Sequence, residues 1–126
     1  MAKIFLVESG SETGQKLVHE LSMKGHDARI IKSTASVIPE VSKGSPDLVL
    51  LDLVLKGKEG FQVLKDLKKN SKTKNVPVVI FTDMSEEAGY SESMDNGAYD
   101  YVIKSHRSPA QFAVMINTIL EETNDK

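Results

Sequence analysis

The sequence of 126 residues has no cysteine and no tryptophan, and its apolar runs are short. The lack of cysteine excludes a disulfide framework and any metal site built on thiolates. No apolar run approaches the roughly 18 residues that a membrane-spanning helix needs. The N-terminal stretch MAKIFLVE is too short for a secretory signal and is interrupted by Glu8. We therefore expect a cytoplasmic protein with no membrane partner.

The sequence also lacks a strong charge of either sign. Its 16 basic and 18 acidic residues leave a formal net charge of -2, which gives no global reason to expect direct binding to nucleic acid. The length is that of one domain with an adequate core. We expect residues 1–126 to form a single domain with no output domain in this chain, which ends in the short polar tail EETNDK. A stand-alone domain and a piece of a longer protein are both open.

Five short apolar runs predict five β-strands. They lie at residues 3–7, 28–31, 48–51, 78–81 and 101–103. Their apolar residues are nearly continuous, which is typical of parallel strands buried on both faces. The segments between them carry apolar residues three or four positions apart, as amphipathic helices do. This alternation predicts a three-layer α/β domain with right-handed crossovers.

The second and fourth predicted helices have the weakest patterns. Pro39 restricts the second to residues 37–43, with Ser36 as its N-cap. The fourth, at residues 85–96, has few candidates for its inward face, namely Ala88, Tyr90 and Met94. At the first helix two N-caps are open: Ser9 in a capping box with Glu12, or Ser11.

Polar side chains follow four of the five strands, where an α/β sheet binds its ligands. They are Glu8 and Ser9, then Asp52, then Thr82 and Asp83, and finally Lys104. This combination suits phosphoryl chemistry. Asp52 would be the nucleophile, Thr82 and Lys104 would bind the oxygens of the transferred group, and a divalent cation between Asp52 and Glu8 would neutralise charge.

Three blocks of sequence resemble those of bacterial response regulator receiver domains of two-component systems. They are PDLVLLDLVLKGKEG at 46–60, VPVVIFTD at 76–83 and GAYDYVIKS at 97–105. The resemblance implies a flavodoxin-like (CheY-like) fold with a five-stranded parallel sheet in the order 2-1-3-4-5. It also implies a phosphorelay in which a histidine kinase or phosphotransfer protein donates a phosphoryl group.

The resemblance also implies a role for each matching residue. Asp52 matches the phosphoacceptor, Lys104 the conserved-type lysine, and Thr82 the hydroxyl that follows the phosphoryl group. Thr82 and Tyr101 match the switch pair, in which the aromatic ring turns inward on activation. Such a domain is not an enzyme beyond its own phosphorylation and dephosphorylation. A Mg²⁺ ion would be held by Glu8, Asp52 and the backbone carbonyl of Val54.

Three departures from the family pattern bear on this chemistry. Ser9 stands where an aspartate normally binds the metal, and a neutral hydroxyl is a poor ligand for Mg²⁺, so we expect weak binding. Lys56 either lies in solvent or partly substitutes for the cation. Val54 and Met84 are apolar where polar residues often promote hydrolysis, which predicts a long phosphoryl lifetime.

Two other functions are open at this stage. A degenerate receiver would act as a phosphate-independent interaction module. In receivers the face formed by the fourth helix, fifth strand and fifth helix, here residues 85–96, 99–104 and 108–122, binds the downstream protein, and a homodimer would form on the same face. The remote alternative is an FMN-binding flavodoxin, because SGSETG at 9–14 resembles a phosphate-binding loop.

Overall fold

The computed structural model describes residues 1–55 and 60–124. Its five strands form one parallel sheet in the order β2-β1-β3-β4-β5. They are β1 (Lys3–Val7), β2 (Asp27–Ile31), β3 (Leu48–Leu51), β4 (Val78–Thr82) and β5 (Asp100–Ile103). The predicted strand order is confirmed, and each predicted strand agrees with the structure to within one residue at either end.

Five helices cover the two faces of the sheet. They are α1 (Glu12–Met23), α2 (Val37–Gly44), α3 (Gly60–Lys69), α4 (Glu86–Asp95) and α5 (Pro109–Asn124). The apolar residues of α1 and α5 share one core with the sheet, and those of α2 and α3 share the other. Within residues 1–55 and 60–124, no helix has both the length and the apolar character to cross a membrane.

The central strands supply both cores at once. In β1, Ile4 and Leu6 face the α1/α5 core, whereas Phe5 and Val7 face the opposite core. All four are at most 1% exposed, which explains their continuous apolar sequence. The residues of β3 alternate in the same way. Because β1 and β3 are neighbours inside the sheet, the residues that follow them lie near the centre of its carboxyl edge.

Both ends of α2 differ from their prediction. The helix extends one residue further than expected, to Gly44, and Pro39 lies in its first turn. Ser36, however, makes no capping hydrogen bond and belongs instead to a short 3₁₀ turn, Thr34–Ser36. Its backbone is already helical, with φ -88° and ψ -11°, whereas a capping side chain requires an extended backbone.

The inward face of α4 also differs from its prediction. Its buried residues are Gly89 and Ser93, while Ala88 and Tyr90 are exposed and Met94 is only partly buried. An apolar pattern could not identify this face, because the residues that pack against the sheet are small rather than apolar. Ser85 caps the helix by accepting a hydrogen bond from the Ala88 N–H.

Candidate functional site

The parallel register brings four polar side chains together at the carboxyl edge of the sheet. Val7 pairs with Leu51 and Thr82 pairs with Ile103, so the residues that follow these strands are neighbours. All four side chains are buried: Glu8, Asp52, Thr82 and Lys104 are 0%, 6%, 0% and 8% exposed. Polar groups buried this deeply require partners, and the contacts among the four supply them.

The ammonium of Lys104 lies between two carboxylates. Its Nζ donates to Oε2 of Glu8 at 2.5 Å and to Oδ2 of Asp52 at 2.8 Å. Burial would lower the pKa of Lys104, but its hydrogen bonds to Asp52 and Glu8, together with their charges, outweigh burial and raise that pKa. Lys104 therefore carries a fixed positive charge in contact with Asp52.

The carboxylate of Asp52 is held by three donors. Its Oδ1 accepts hydrogen bonds from the Thr82 hydroxyl at 2.8 Å and from the Val54 N–H at 3.1 Å, while Oδ2 accepts from Lys104. The Thr82 oxygen in turn accepts from the Met84 N–H at 3.2 Å. The structure thus brings Asp52, Thr82 and Lys104 together as the sequence predicted, with the carboxylate fixed in orientation.

Each of the two carboxylate oxygens of Glu8 accepts two hydrogen bonds. Oε1 accepts from the N–H groups of Gly10 and Ser11, and Oε2 accepts from the Ser11 hydroxyl and from Lys104. Burial would raise the pKa of Glu8, but the hydrogen bonds from Lys104 and Ser11 and the Lys104 charge lower it overall. Glu8 is therefore an ionised carboxylate inside the protein.

Glycine 14 allows α1 to pass directly against this carboxylate. A Cβ atom built there would lie 2.2 Å from Oε1 of Glu8 and 2.6 Å from its Cδ, distances that no real side chain tolerates. The Gly14 N–H donates to the Ser11 hydroxyl oxygen, which makes Ser11 the N-cap of α1. Of the two capping alternatives, the structure therefore selects Ser11.

Ser9 and Val54 flank the cluster, and neither contributes its side chain to it. The Ser9 side chain is exposed, and among the described residues it makes no hydrogen bond to Glu8, Asp52, Thr82 or Lys104. Val54 directs its backbone N–H at Asp52, while its side chain is 62% exposed. Lys56, the suggested substitute for the cation, lies outside the described residues.

The loop at residues 9–14 does not present a phosphate cradle. Such a cradle needs backbone N–H groups directed outward at an anion. Here the N–H groups of Gly10 and Ser11 donate to the buried Glu8 carboxylate, and that of Gly14 donates to Ser11. The internal anion already occupies these donors, so the geometry argues against the FMN alternative.

The ring of Tyr101 points inward and is 6% exposed. Its hydroxyl donates to the Met84 carbonyl at 2.8 Å and lies 3.2 Å from the Ser85 carbonyl. This position requires Gly89, because a Cβ atom there would lie 2.4 Å from the hydroxyl oxygen. Sequence reasoning missed both Gly14 and Gly89, although a glycine inside a helical pattern is a signal of close packing.

The face formed by α4, β5 and α5 carries exposed aromatic residues. Tyr90 is 45% exposed and Tyr99 is 36% exposed. The Tyr99 hydroxyl donates to Oε1 of Glu122 at 2.7 Å, and this hydrogen bond raises its pKa. The ring of Tyr90 packs edge-on against Tyr101, with ring centroids 6.0 Å apart, so the face is in direct contact with the inward tyrosine.

Comparison with known proteins agrees with this architecture. The family model described as response regulator receiver domain matches residues 4–117. The transcriptional regulatory protein BaeR of Escherichia coli is 31% identical over 118 residues, which cover 94% of this chain and 48% of BaeR. Protein PilH of Pseudomonas aeruginosa is 29% identical over 119 residues, covering 94% of this chain and 95% of PilH.

The chain thus spans about half the length of the first transcriptional regulators it matches, and nearly all of PilH. Among solved structures, the BeF3-activated N-terminal receiver domain of Klebsiella pneumoniae RstA superimposes with a TM-score of 0.81 at 28% identity. That match covers 94% of this chain and 97% of the RstA domain. The chain belongs to the response regulator receiver domain family.

Proposed function

We propose that Asp52 accepts a phosphoryl group from a histidine kinase or a phosphotransfer protein. The observation that carries this proposal is the contact of Asp52 with both the Thr82 hydroxyl and the Lys104 ammonium. Receiver domains interact with histidine kinases and downstream effectors, and they are signalling proteins rather than members of a classical enzyme family.

The transfer needs little chemistry from the protein beyond positioning and charge. A carboxylate oxygen of Asp52 forms a bond to phosphorus while the bond from phosphorus to the donor nitrogen breaks, and the electron pair leaves with the donor. The oxygens of the transferred group then meet Lys104 and Thr82, which already donate to Asp52. Donors held in place before the reaction are effective because they need not reorganise.

Receiver domains generally bind Mg²⁺ or Mn²⁺ at the acidic pocket. In this chain the donor set does not fit a resident ion. Glu8 accepts four hydrogen bonds and Ser9 is exposed, so of the two buried carboxylates in the cluster only Asp52 has room for another contact. Mg²⁺ is usually held by one or two carboxylates plus phosphate oxygens, so we propose that it binds weakly here.

We further propose that Thr82 and Tyr101 form the switch that links Asp52 to the α4-β5-α5 face. Thr82 contacts Asp52 directly, and the Met84 backbone joins the two switch residues: its N–H donates to Thr82 and its carbonyl accepts from Tyr101. A phosphoryl group on Asp52 would change the contact of Asp52 with Thr82, and through the Met84 backbone it would change the position of Tyr101. The face would then bind the downstream protein, or a second copy of the domain.

A phosphate-independent interaction module is the second candidate function, and one observation favours it. Tyr101 is turned inward and Thr82 contacts Asp52, which is the arrangement that the resemblance to receivers associates with activation. A domain that holds this arrangement permanently would bind its partner without phosphorylation. We propose residues 1–126 as one receiver domain under either function, which the family match over residues 4–117 supports.

Mass spectrometry of the intact protein separates the two functions. We would incubate the chain with acetyl phosphate and Mg²⁺ and compare it with Asp52→Asn, which keeps the shape of the side chain. The matched control is Asp83→Asn, because Asp83 also follows a strand but is exposed. Phosphoryl transfer predicts one added group in the wild type and in the Asp83 variant only. No addition under any condition leaves the phosphate-independent module.

A further inference from the structure

We infer that Lys104, held in place by Glu8, takes over the charge-neutralising role of the divalent cation, so that phosphorylation of Asp52 does not depend on Mg²⁺. The inference rests on the proposed function, since it concerns how Asp52 reacts. It gives Glu8 a role other than the Mg²⁺ ligand that the resemblance implied. Glu8 becomes a positioning residue for Lys104 instead of a metal ligand.

The Glu8 carboxylate already accepts as many hydrogen bonds as its two oxygens can hold. An ionised carboxylate has about four acceptor positions, and Glu8 fills them with two backbone N–H groups, one hydroxyl and one ammonium. Its side chain is 0% exposed. A metal ion could bind Glu8 only after displacing hydrogen bonds that a buried charge needs.

The first turn of α1 and its N-cap keep Glu8 in this position. Gly14 leaves room for the carboxylate against α1, and any larger residue would overlap Oε1. Ser11 links the carboxylate to the helix, since its hydroxyl donates to Glu8 at 2.6 Å and accepts from the Gly14 N–H at 3.1 Å. Glu8 is thus fixed to the first turn of α1 and cannot turn toward a cation without disturbing the helix cap.

The charge of Lys104 partly balances the charges of Glu8 and Asp52. The Lys104 ammonium contacts Glu8 and Asp52 together, so one positive charge already lies between the two carboxylates. With Ser9 in place of a second acid, the pocket holds less negative charge than an acidic pair would create. A cation buried among carboxylates acts strongly because the surroundings screen it poorly, and this one lies where the transferred group must arrive.

The reaction with a small donor needs no further component. An Asp52 oxygen forms a bond to the phosphorus of acetyl phosphate, the bond between phosphorus and the acetyl oxygen breaks, and acetate leaves with the electron pair. No proton is transferred and nothing is oxidised or reduced. Lys104 supplies the positive charge that the phosphoryl oxygens meet.

The test measures phosphorylation of the full chain by acetyl phosphate, in excess Mg²⁺ and in excess EDTA, by intact mass over time. We expect initial rates that agree within about twofold, because Lys104 is present in both conditions. A rate at least about tenfold lower in EDTA would overturn the inference and leave the proposed function intact. No phosphorylation in either condition would instead overturn the proposed function.

A pair of variants at Ser9 supplies a second readout. Ser9→Asp adds a carboxylate beside the pocket, and Ser9→Asn is its uncharged match. We expect Mg²⁺ to shift the amide NMR signals of residues around Asp52 in a saturable way in Ser9→Asp only. Saturable shifts of the same signals in the wild type at or below about 1 mM Mg²⁺ would show a formed cation site and overturn the inference.

Discussion

The hydroxyl of Tyr101 occupies the space where a side chain at Gly89 would begin. A Cβ atom on Gly89 would lie 2.4 Å from that oxygen, 3.0 Å from a methyl carbon of Leu53 and 3.1 Å from the Met84 sulfur. The inward tyrosine and the absent side chain are therefore one feature of the packing. It connects α4 with the residues next to Asp52, because Leu53 follows Asp52 directly in the chain.

Replacing Gly89 with alanine tests this relationship. Alanine favours a helix by up to about 1 kcal/mol over glycine, but the added methyl would collide with Tyr101, and overpacking of this kind costs about 1–3 kcal/mol. We expect net destabilisation in urea unfolding and outward movement of the Tyr101 ring, seen in its NMR signals.

Two further variants, Tyr101→Phe and Ser91→Ala, serve as controls for Gly89→Ala. In Tyr101→Phe the colliding oxygen is gone, so Gly89→Ala should cost clearly less in that background than in the wild type. Ser91→Ala, at an exposed position of the same helix, reports helix propensity alone. A Gly89→Ala variant that is more stable than the wild type, with Tyr101 still inward, would contradict the packing described.

Replacing Lys104 with methionine tests the buried charge cluster. Methionine keeps much of the side-chain volume but leaves Glu8 and Asp52 without their shared ammonium. We expect a loss of about 3–5 kcal/mol in the free energy of unfolding at pH 7, the usual cost of breaking a buried pair.

Lys65→Met is the matched control for Lys104→Met, because the pair of Lys65 with Glu92 is exposed and 4.0 Å long, and it should cost at most about 1 kcal/mol. In addition, Glu8→Gln combined with Lys104→Met should destabilise less than the sum of the two single changes. Additive losses would show that the two side chains do not interact.

The pH dependence of stability follows from the same pair. The pKa of Glu8 is lowered from 4.5, so its stabilising contribution is present above pH 4.5 and is lost as the pH falls through the folded value. The pKa of Lys104 is raised from 10.5, so its contribution is present below pH 10.5 and is lost as the pH rises through its folded value. Stability should therefore decline at both extremes.

Chemical denaturation between pH 3 and 7 would check the acid side of this prediction, at about half-unit steps. In Glu8→Gln the decline below pH 4.5 should be shallower than in the wild type, because the titrating carboxylate has been removed. Equal slopes in the two proteins would show that other carboxylates account for the acid sensitivity.

An apolar groove beside Asp52 predicts a long-lived phosphoryl group. The groove has a volume of about 310 Å³ and is lined by Leu53, Val54, Leu55, Phe61 and Met84. None of these side chains can orient or activate an attacking water. If Asp52 is phosphorylated as proposed, Met84→Glu should shorten the lifetime of the phosphoprotein by about tenfold or more, because its carboxylate can act as a general base.

Met84→Leu is the control for this lifetime, since it preserves the apolar lining. The measurement is the decay of the phosphorylated mass after removal of the donor. Decay of the wild type as fast as that of Met84→Glu would show that the apolar lining does not limit the access of water.

The sequence alone determined the fold and the position of the reactive groups. Continuous apolar runs such as LVLL at residues 48–51 required strands buried on both faces, and both faces are indeed covered. Parallel strands end at one edge, which predicted that Asp52 and Lys104 lie on the same side of the sheet, and the strand order that the resemblance implied placed them on either side of β4, close enough to bond although 52 residues separate them. Hydrophobic periodicity suffices for the strands and their common edge, because these depend only on where strands begin and end, whereas the strand order came from the resemblance of the three sequence blocks.

Tertiary structure alone decided how these groups are used. Glu8 follows β1 as a metal-binding acid would, yet its carboxylate is held by α1 and Lys104, because Gly14 leaves room for it there. Tyr101 is inward because Gly89 leaves room for its hydroxyl. The direction in which a side chain points depends on the volume that distant residues leave free, and a glycine in a helical pattern does not show which neighbour fills its space.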